Sequence, residues 1–173
     1  PELFEMIGDD KIVDLFQFST QLGQAVVKKA KPKNLLELVS LNSIMRLMSE
    51  GEEQPIDTFI RYKNDISLWY EEMKEHGLTE EEVATFEKYL LALNGVSDTQ
   101  ESVMLMAMDE NITGFTIKEA NYLRKSIAKK KESLQKEVKE MLYKWGEEKG
   151  NRKEVVDYLW LQISRQLGYS FSL

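Results

Sequence analysis

The chain of 173 residues contains no cysteine. It therefore has no disulfide framework and no thiolate metal site. That suits a reducing cytoplasm, which is the expected location. There is one histidine, His76. A nucleophilic triad needs an imidazole base, but this one lies in Glu75-His-Gly77, where it decorates a helix C-terminus. No apolar run approaches the ~20 residues that span a bilayer. No membrane contact is expected, and no signal peptide is visible. There is no Asp-x-Asp pair, and Asp9-Asp10 falls in a turn before Lys11. Metal-assisted phosphoryl transfer needs carboxylates that converge on divalent ions, and no such pattern is found. Glu80-Glu81-Glu82 reads as a helix first turn, where acids favour the macrodipole. No Walker loop and no Gly-x-Gly-x-x-Gly occurs. These absences leave no complete active site.

What is present reads as helix. An apolar share of 42% supports a packed core, and charged residues make up 31%. The expectation is an irregular all-α domain of eight or nine helices covering residues 1–173. The chain starts at Pro1 and stops at Ser-Phe-Ser-Leu173, and is expected to be a fragment of a longer protein. Residues 1–15 form a short amphipathic lead, and 16–20 a brief extended or turn segment. A helix to about Ala30 ends at Pro32. Asn34 and Glu37 signal the next helix, which runs to about Ser49, before a polar break at 49–53. Pro55 sits in a first turn. Gly77 closes a helix from Ile66 to His76. Start signals of the capping-box type stand at Thr79–Glu82, Ser97–Gln100, Thr116–Glu119 and Asn151–Glu154. Leu38, Ile44, Phe59, Leu123, Leu159 and Ile163 are the expected core, and the methionines at helical spacing join it. The acidic block Glu71–Glu87 reads as a solvated helical face.

The informative stretch is Gly114–Lys131. A turn and a capping box open a helix with Ile117, Ala120, Leu123 and Ile127 on one face. Its far end carries Arg124, Lys125, Lys129, Lys130 and Lys131, five cations in eight residues of a chain with formal net charge −7. Such an end is suited to an anion, and phosphate is the obvious one. A second basic cluster spans Lys28–Lys33, and Arg46, Arg61 and Lys63 stand apart. The Lys28–Lys33 cluster reads equally well as scattered, solvated cations, and the Arg124–Lys131 cluster, denser and at the close of a helix, reads less well so.

Several stretches together resemble the fingers region of family C bacterial replicative polymerases, the DNA polymerase III α subunits. Asp14-Leu-Phe-Gln-Phe-Ser-Thr20 resembles the family's Phe-Gln-(Leu/Phe)-Glu-Ser. Lys31-Pro-Lys-Asn-Leu-Leu-Glu-Leu-Val39 is similar to its Lys/Gln-Pro segment and helix. Ile56-Asp-Thr-Phe-Ile-Arg-Tyr-Lys63 is similar to Phe-Ile-x-Arg-Lys, and Gln100-Glu-Ser-Val-Met104 to Gln-Glu-Gln-Val-Met. Gly114–Lys131 resembles the Gly-Tyr-(Thr/Ser) helix that ends in Gly-Lys-Lys-Lys. Gly168-Tyr-Ser-Phe171 resembles Gly-Tyr-Gly-Phe. The likeness covers 14–64 and 95–171 and is thin over 65–94. It departs where the family has Arg-Pro-Gly-Pro and this chain has Arg46-Leu47-Met48-Ser49. It also departs at Thr99, where the family has tyrosine, and at Ala128, where it has glycine. The pattern suits a divergent member, phage-encoded for example.

The resemblance implies a segment that contacts substrate while the catalytic aspartates and their Mg2+ ions lie in the palm, outside this chain. It implies binding of the incoming dNTP triphosphate and of primer-template DNA. The expected phosphate ligands are Arg124, Lys125, Lys129, Lys130 and Lys131, with Arg46 and Lys63 behind them. Gln100 and Glu101 are expected to fix neighbouring helices. The expected partners include the remaining polymerase domains, and the fragment is expected to be monomeric. Two rival readings use the same residues differently. One is a stand-alone helical DNA-binding module, and the other an acidic helical protein-interaction module.

Overall fold

The computed structural model describes residues 21–45, 55–129 and 131–167. Among the described residues the fold is all α, with nine α-helices and no strand. They are α1 (Gln21–Ala30), α2 (Leu35–Met45), α3 (Pro55–Asn64), α4 (Ser67–Glu75), α5 (Glu80–Leu90), α6 (Gln100–Met108), α7 (Ile117–Lys129), α8 (Glu132–Glu148) and α9 (Lys153–Leu167). A short 3-10 turn, Leu91–Leu93, extends α5. The readings of 1–20, the polar break at 49–53 and Gly168–Phe171 lie outside the described residues.

Local chemistry sets most helix starts. Asn34 Oδ1 accepts the Glu37 amide at 2.9 Å, and Glu37 reaches back to the Lys33 amide at 2.7 Å. Thr79 and Glu82 form a reciprocal box at 3.0 and 3.3 Å. At the end of α4 the chain turns through Gly77 at φ +76. There the Gly77 amide donates to Lys74 O and the Leu78 amide to Met73 O, the double closure of a Schellman end. Two expected boxes do other work. The α6 cap is Thr99, which accepts from the Ser102 amide at 3.2 Å, while Ser97 is buried two residues earlier. Asn151 donates from Nδ2 to Glu110 O and Ile112 O, both at 2.9 Å, and so ties the start of α9 to the turn after α6.

The buried apolar side chains form one contiguous cluster reaching from Val26 to Leu167. Phe59, Leu123, Leu159 and Ile163 are buried as expected, and so are Met73 and Met106. Leu38 is only half-buried, because α2 turns Leu41 inward and leaves Leu35, Leu36 and Val39 exposed. The side chain of Ile44 lies outside the described residues. Gly95 is held at φ +77 against the indole of Trp69, and a Cβ there would lie 2.4 Å from Trp69 Cγ.

A polar centre sits inside this apolar cluster. The indole N–H of Trp69 donates to the Tyr158 hydroxyl at 2.8 Å. Tyr158 donates to Glu72 Oε2 and Tyr62 to Glu72 Oε1, each at 2.8 Å. Arg165 donates to both Glu72 oxygens, through Nη1 at 3.2 Å and through Nη2. The network continues along α9. Gln162 donates to Gly95 O at 3.0 Å and accepts from the Ser97 amide at 3.0 Å. Gln166 donates to Ser97 Oγ at 2.7 Å and to Thr99 O at 2.6 Å. Glu72 therefore departs from the solvated reading of the acidic block, whereas Glu71, Glu80 and Glu81 keep to it. Burial pushes the Glu72 carboxyl up. The Arg165 guanidinium and the two tyrosine hydroxyls outweigh this and hold it below the usual carboxylate range.

Breaking a largely buried pair from one side strands the other charge. Arg165→Met should lower unfolding free energy by about 3 kcal/mol in urea titrations at neutral pH. Because the folded Glu72 pKa is depressed, its contribution is present above its ordinary value of 4.5 and is lost as pH falls through the folded value. Glu72→Gln should accordingly flatten the acid limb of the stability–pH curve, followed by circular dichroism.

Candidate phosphate-binding surface

The route to α7 is fixed by a turn that leaves α6. Gly114 takes φ +60 and its amide donates to Asp109 O at 2.9 Å. The Phe115 amide donates to Ala107 O at 2.8 Å, and its ring is buried. The expected capping box follows. The Thr116 amide donates to Glu119 Oε1 at 3.0 Å, and the Glu119 amide to Thr116 Oγ1 at 3.4 Å.

From that start, helical periodicity sorts the side chains. Ala120, Leu123, Ser126 and Ile127 face inward and are buried. Arg124, Lys125 and Lys129 consequently face solvent. Ile117 departs from the expected stripe, being 61% exposed. It occupies the first helical position, ahead of the turns that α7 buries. Tyr122 donates to Glu137 Oε2 at 2.8 Å and clamps α7 to α8.

The basic run does not lie on one helix end. α7 stops at Lys129, and Lys131 is the N-cap of α8 with φ −92 and ψ 123. The cations therefore straddle the corner between two helices. Arg124, Lys125, Lys129 and Lys131 are exposed, and among the described residues no carboxylate pairs with them. Lys130 and Arg46 lie outside the described residues.

Lys63 has a different setting. Its side chain is 8% exposed, and Nζ donates to Ala30 O and Lys31 O, each at 2.7 Å. It also pairs with Glu37 at 2.7 Å. Two of these acceptors lie at the C-terminal end of α1, where a cation offsets the helix dipole. A phosphate could recruit Lys63 only by drawing it from three acceptors. In the first basic cluster Lys29 pairs with Asp57 at 2.6 Å, and Lys31 and Lys33 are exposed.

Helix fixing around the Gln100-Glu101 motif falls to other side chains. Gln100 is half-buried and Glu101 exposed, and among the described residues neither side chain makes a hydrogen bond. Gln162 and Gln166, with Ser97 and Thr99, hold this end of α6. These two glutamines were missed in the sequence. Their signal was the polar spacing Tyr158, Gln162, Gln166 beside the apolar Leu159 and Ile163. His76 is the C-cap of α4, as expected, with its ring 5.5 Å from that of Tyr158.

Among the described residues no group of three or more His, Cys, Asp or Glu side chains could hold a metal ion. The donor set for a divalent-ion centre is thus not found there. No described helix is long and apolar enough to cross a membrane. The class defined by these features is an all-α assembly with a cationic corner between α7 and α8.

The chain belongs to the family described as the bacterial DNA polymerase III alpha subunit finger domain, whose sequence profile matches residues 1–150. It is 56% identical over 173 residues to the probable DNA polymerase YorL of Bacillus subtilis strain 168. It is equally similar to the DNA-directed DNA polymerase of Bacillus phage SPbeta. It is 29% identical over 172 residues to the DNA polymerase III subunit alpha of Aquifex aeolicus strain VF5. These alignments cover 99% of this chain and therefore run through 65–94, where the motifs are thin. The chain spans only 13% or 14% of the length of these relatives.

Lys63 and the corner cations should separate in a stability assay. Lys63→Met removes charge-assisted bonds worth roughly 1.5–3 kcal/mol each and should lower the urea midpoint clearly. Lys129→Ala, at an exposed site without a partner, should stay within about 0.5 kcal/mol of the parent.

Proposed function

We propose that this chain forms, as one helical unit, the fingers segment of a DNA-directed DNA polymerase acting in DNA replication. In this reading the α7–α8 corner binds the triphosphate of the incoming dNTP beside the primer-template. The observation that carries it is the set of exposed, unpaired cations at Arg124, Lys125, Lys129 and Lys131, in a family of polymerase fingers. A triphosphate carries about four negative charges, and its transfer is helped chiefly by positioning and by stabilising developing charge. Arg124 supplies a bidentate fork and the lysines mobile point charges. Lys130 belongs with them by sequence, and Arg46 and Lys63 rank behind. The remaining polymerase domains, outside this chain, carry the catalytic carboxylates and the Mg2+ they hold. The whole enzyme acts in the bacterial or phage-host cytoplasm.

The acidic interaction-module reading is less favoured, because part of the acidic block is engaged internally. Glu72 meets Arg165, and Glu82 both caps α5 and pairs with Arg152 at 2.9 Å.

The purified chain should extend no primer, with or without magnesium. Robust extension by a preparation free of other polymerases would place the catalytic site inside it. In the complete polymerase, Arg124→Ala should weaken nucleotide use by about 10- to 100-fold, given 1.5–3 kcal/mol for a charge-assisted bond. A contact that tightens in the transition state puts most of the loss in kcat, and uniform binding puts it in KM. Steady-state kinetics with nucleotide and DNA varied separately decides the matter. Unchanged nucleotide kinetics, with weaker DNA binding and a shallower salt slope, would mean a backbone-DNA role instead.

A further inference from the structure

We infer that Asn151 is a positioning residue for nucleotide use: it holds the turn that launches α7, and through α7 it aims Arg124. The inference rests on the phosphate reading above and adds a residue at the other end of the helix, away from the corner.

α7 and α8 form a helical hairpin. Tyr122 donates to Glu137 Oε2 at 2.8 Å partway along both helices and holds them together. The corner that carries Arg124, Lys125, Lys129 and Lys131 is the tip of this hairpin. Its base is the place where the end of α8 returns to the turn that opens α7. There a Cβ on Gly146, in the last turn of α8, would lie 3.6 Å from Ile112 O and 3.9 Å from Thr113 Cγ2. Lys149 pairs with Glu110 at 2.8 Å.

At this base Asn151 Nδ2 bridges the carbonyls of Glu110 and Ile112, each at 2.9 Å. Two carbonyls can be met only by the NH2 side of the amide, so the partners fix its orientation. The backbone amide of Asn151 donates to Gly146 O at 2.9 Å, which seats the bridge on the end of α8. Glu110 and Ile112 lie between α6 and α7, so the bridge sets the shape of that connection. A second side chain holds the same turn from α5. The Tyr89 hydroxyl donates to Asp109 Oδ2, and the Asp109 carbonyl accepts the amides of Ile112, Thr113 and Gly114.

Magnitudes make this base matter at the tip. At a rise of ~1.5 Å per residue, Arg124 stands about 12 Å along α7 from Thr116, so a tilt of about 5° moves it by roughly 1 Å. A misplacement of about 1 Å at a positioning contact can cost up to roughly 100-fold in rate. The loss should fall chiefly on Arg124, whose planar fork has a fixed geometry, while the flexible lysine stems can follow a shifted phosphate.

The test is a double-mutant cycle in the complete polymerase, with nucleotide and DNA varied separately. Asn151→Ala should lower kcat/KM for nucleotide by about 5- to 20-fold and leave primer-template affinity within about twofold. On an Arg124→Ala background the same change should cost less than about twofold, because the side chain that it aims is gone. The full factor recurring on that background would overturn the assignment and make Asn151 a structural residue only. Unchanged nucleotide kinetics in Asn151→Ala would also overturn it, and the corner would still stand if Arg124→Ala kept its effect. Unchanged nucleotide kinetics in Arg124→Ala would overturn the phosphate reading and this inference with it. Tyr89→Phe removes one hydroxyl from the same turn and should show the same pattern at about two- to fivefold. It carries the cycle, by the same criteria, where Asn151→Ala does not fold.

Discussion

The described fold depends on how it accommodates Glu72. A carboxylate inside an apolar cluster is tolerable only if it is paired and its lone pairs are filled. Here four hydrogen bonds reach it, from Tyr62, Tyr158 and both terminal nitrogens of Arg165. Those donors come from α3 and α9, and Glu72 sits on α4, so one side chain fixes the mutual positions of three helices. Apolar contacts alone would tolerate sliding between neighbours. Directional bonds around a single buried charge do not, and replacing only part of the set would leave the rest unsatisfied.

The consequence travels along α9 toward the start of α6 and, through it, toward α7. Tyr158 also receives the Trp69 indole bond, and Trp69 lies against the backbone at Gly95. From there Gln162 and Gln166 fix Gly95, Ser97 and Thr99, which lead directly into α6. The end of α6 in turn holds the Gly114-Phe115 turn through Asp109 and Ala107. Thr116 then launches α7 with its inward face already committed to the core. The outward direction of Arg124, Lys125 and Lys129 is the last step of this sequence of constraints. Precision at the corner thus arises from rigid packing beneath it, and the cations need no contacts of their own.

Local signals were legible in the sequence, and long-range ones were not. Asn34–Glu37, Thr79–Glu82 and Thr116–Glu119 are starts because the residues that bond are three apart, and the pattern itself contains the geometry. Ser97–Gln100 and Asn151–Glu154 have the same spelling, but tertiary partners claimed the first residue of each. A side chain that can cap a helix can equally bond a distant backbone, and spacing does not distinguish the two. Glu72 was hidden for a related reason. In a block of acids nothing local marks the one whose arginine stands 93 residues away. The basic run was found by composition alone, yet the helix break inside it was not, since lysine favours helix at every one of those positions. Ile117 kept the apolar spacing but precedes the turns of α7 that are buried.

The same kind of residue ends up in three electrostatic situations, and the contrast sharpens the reading of the corner. Lys63 meets the carbonyl end of α1 together with a carboxylate, so its charge is neutralised within the fold. Arg124, Lys125 and Lys129 project from the second half of α7, and Lys129 at its last turn complements that helix's dipole without help. Lys131 stands one residue before α8, where the dipole has the same sign as its own charge. A fold with seven excess negative charges had carboxylates available to place there, and the one nearby, Glu132, is exposed rather than bonded to Lys131. Local stability therefore does not explain Lys131. The break between α7 and α8 instead gathers exposed cations from two helices on one corner, which a single continuous helix would have spread along its length.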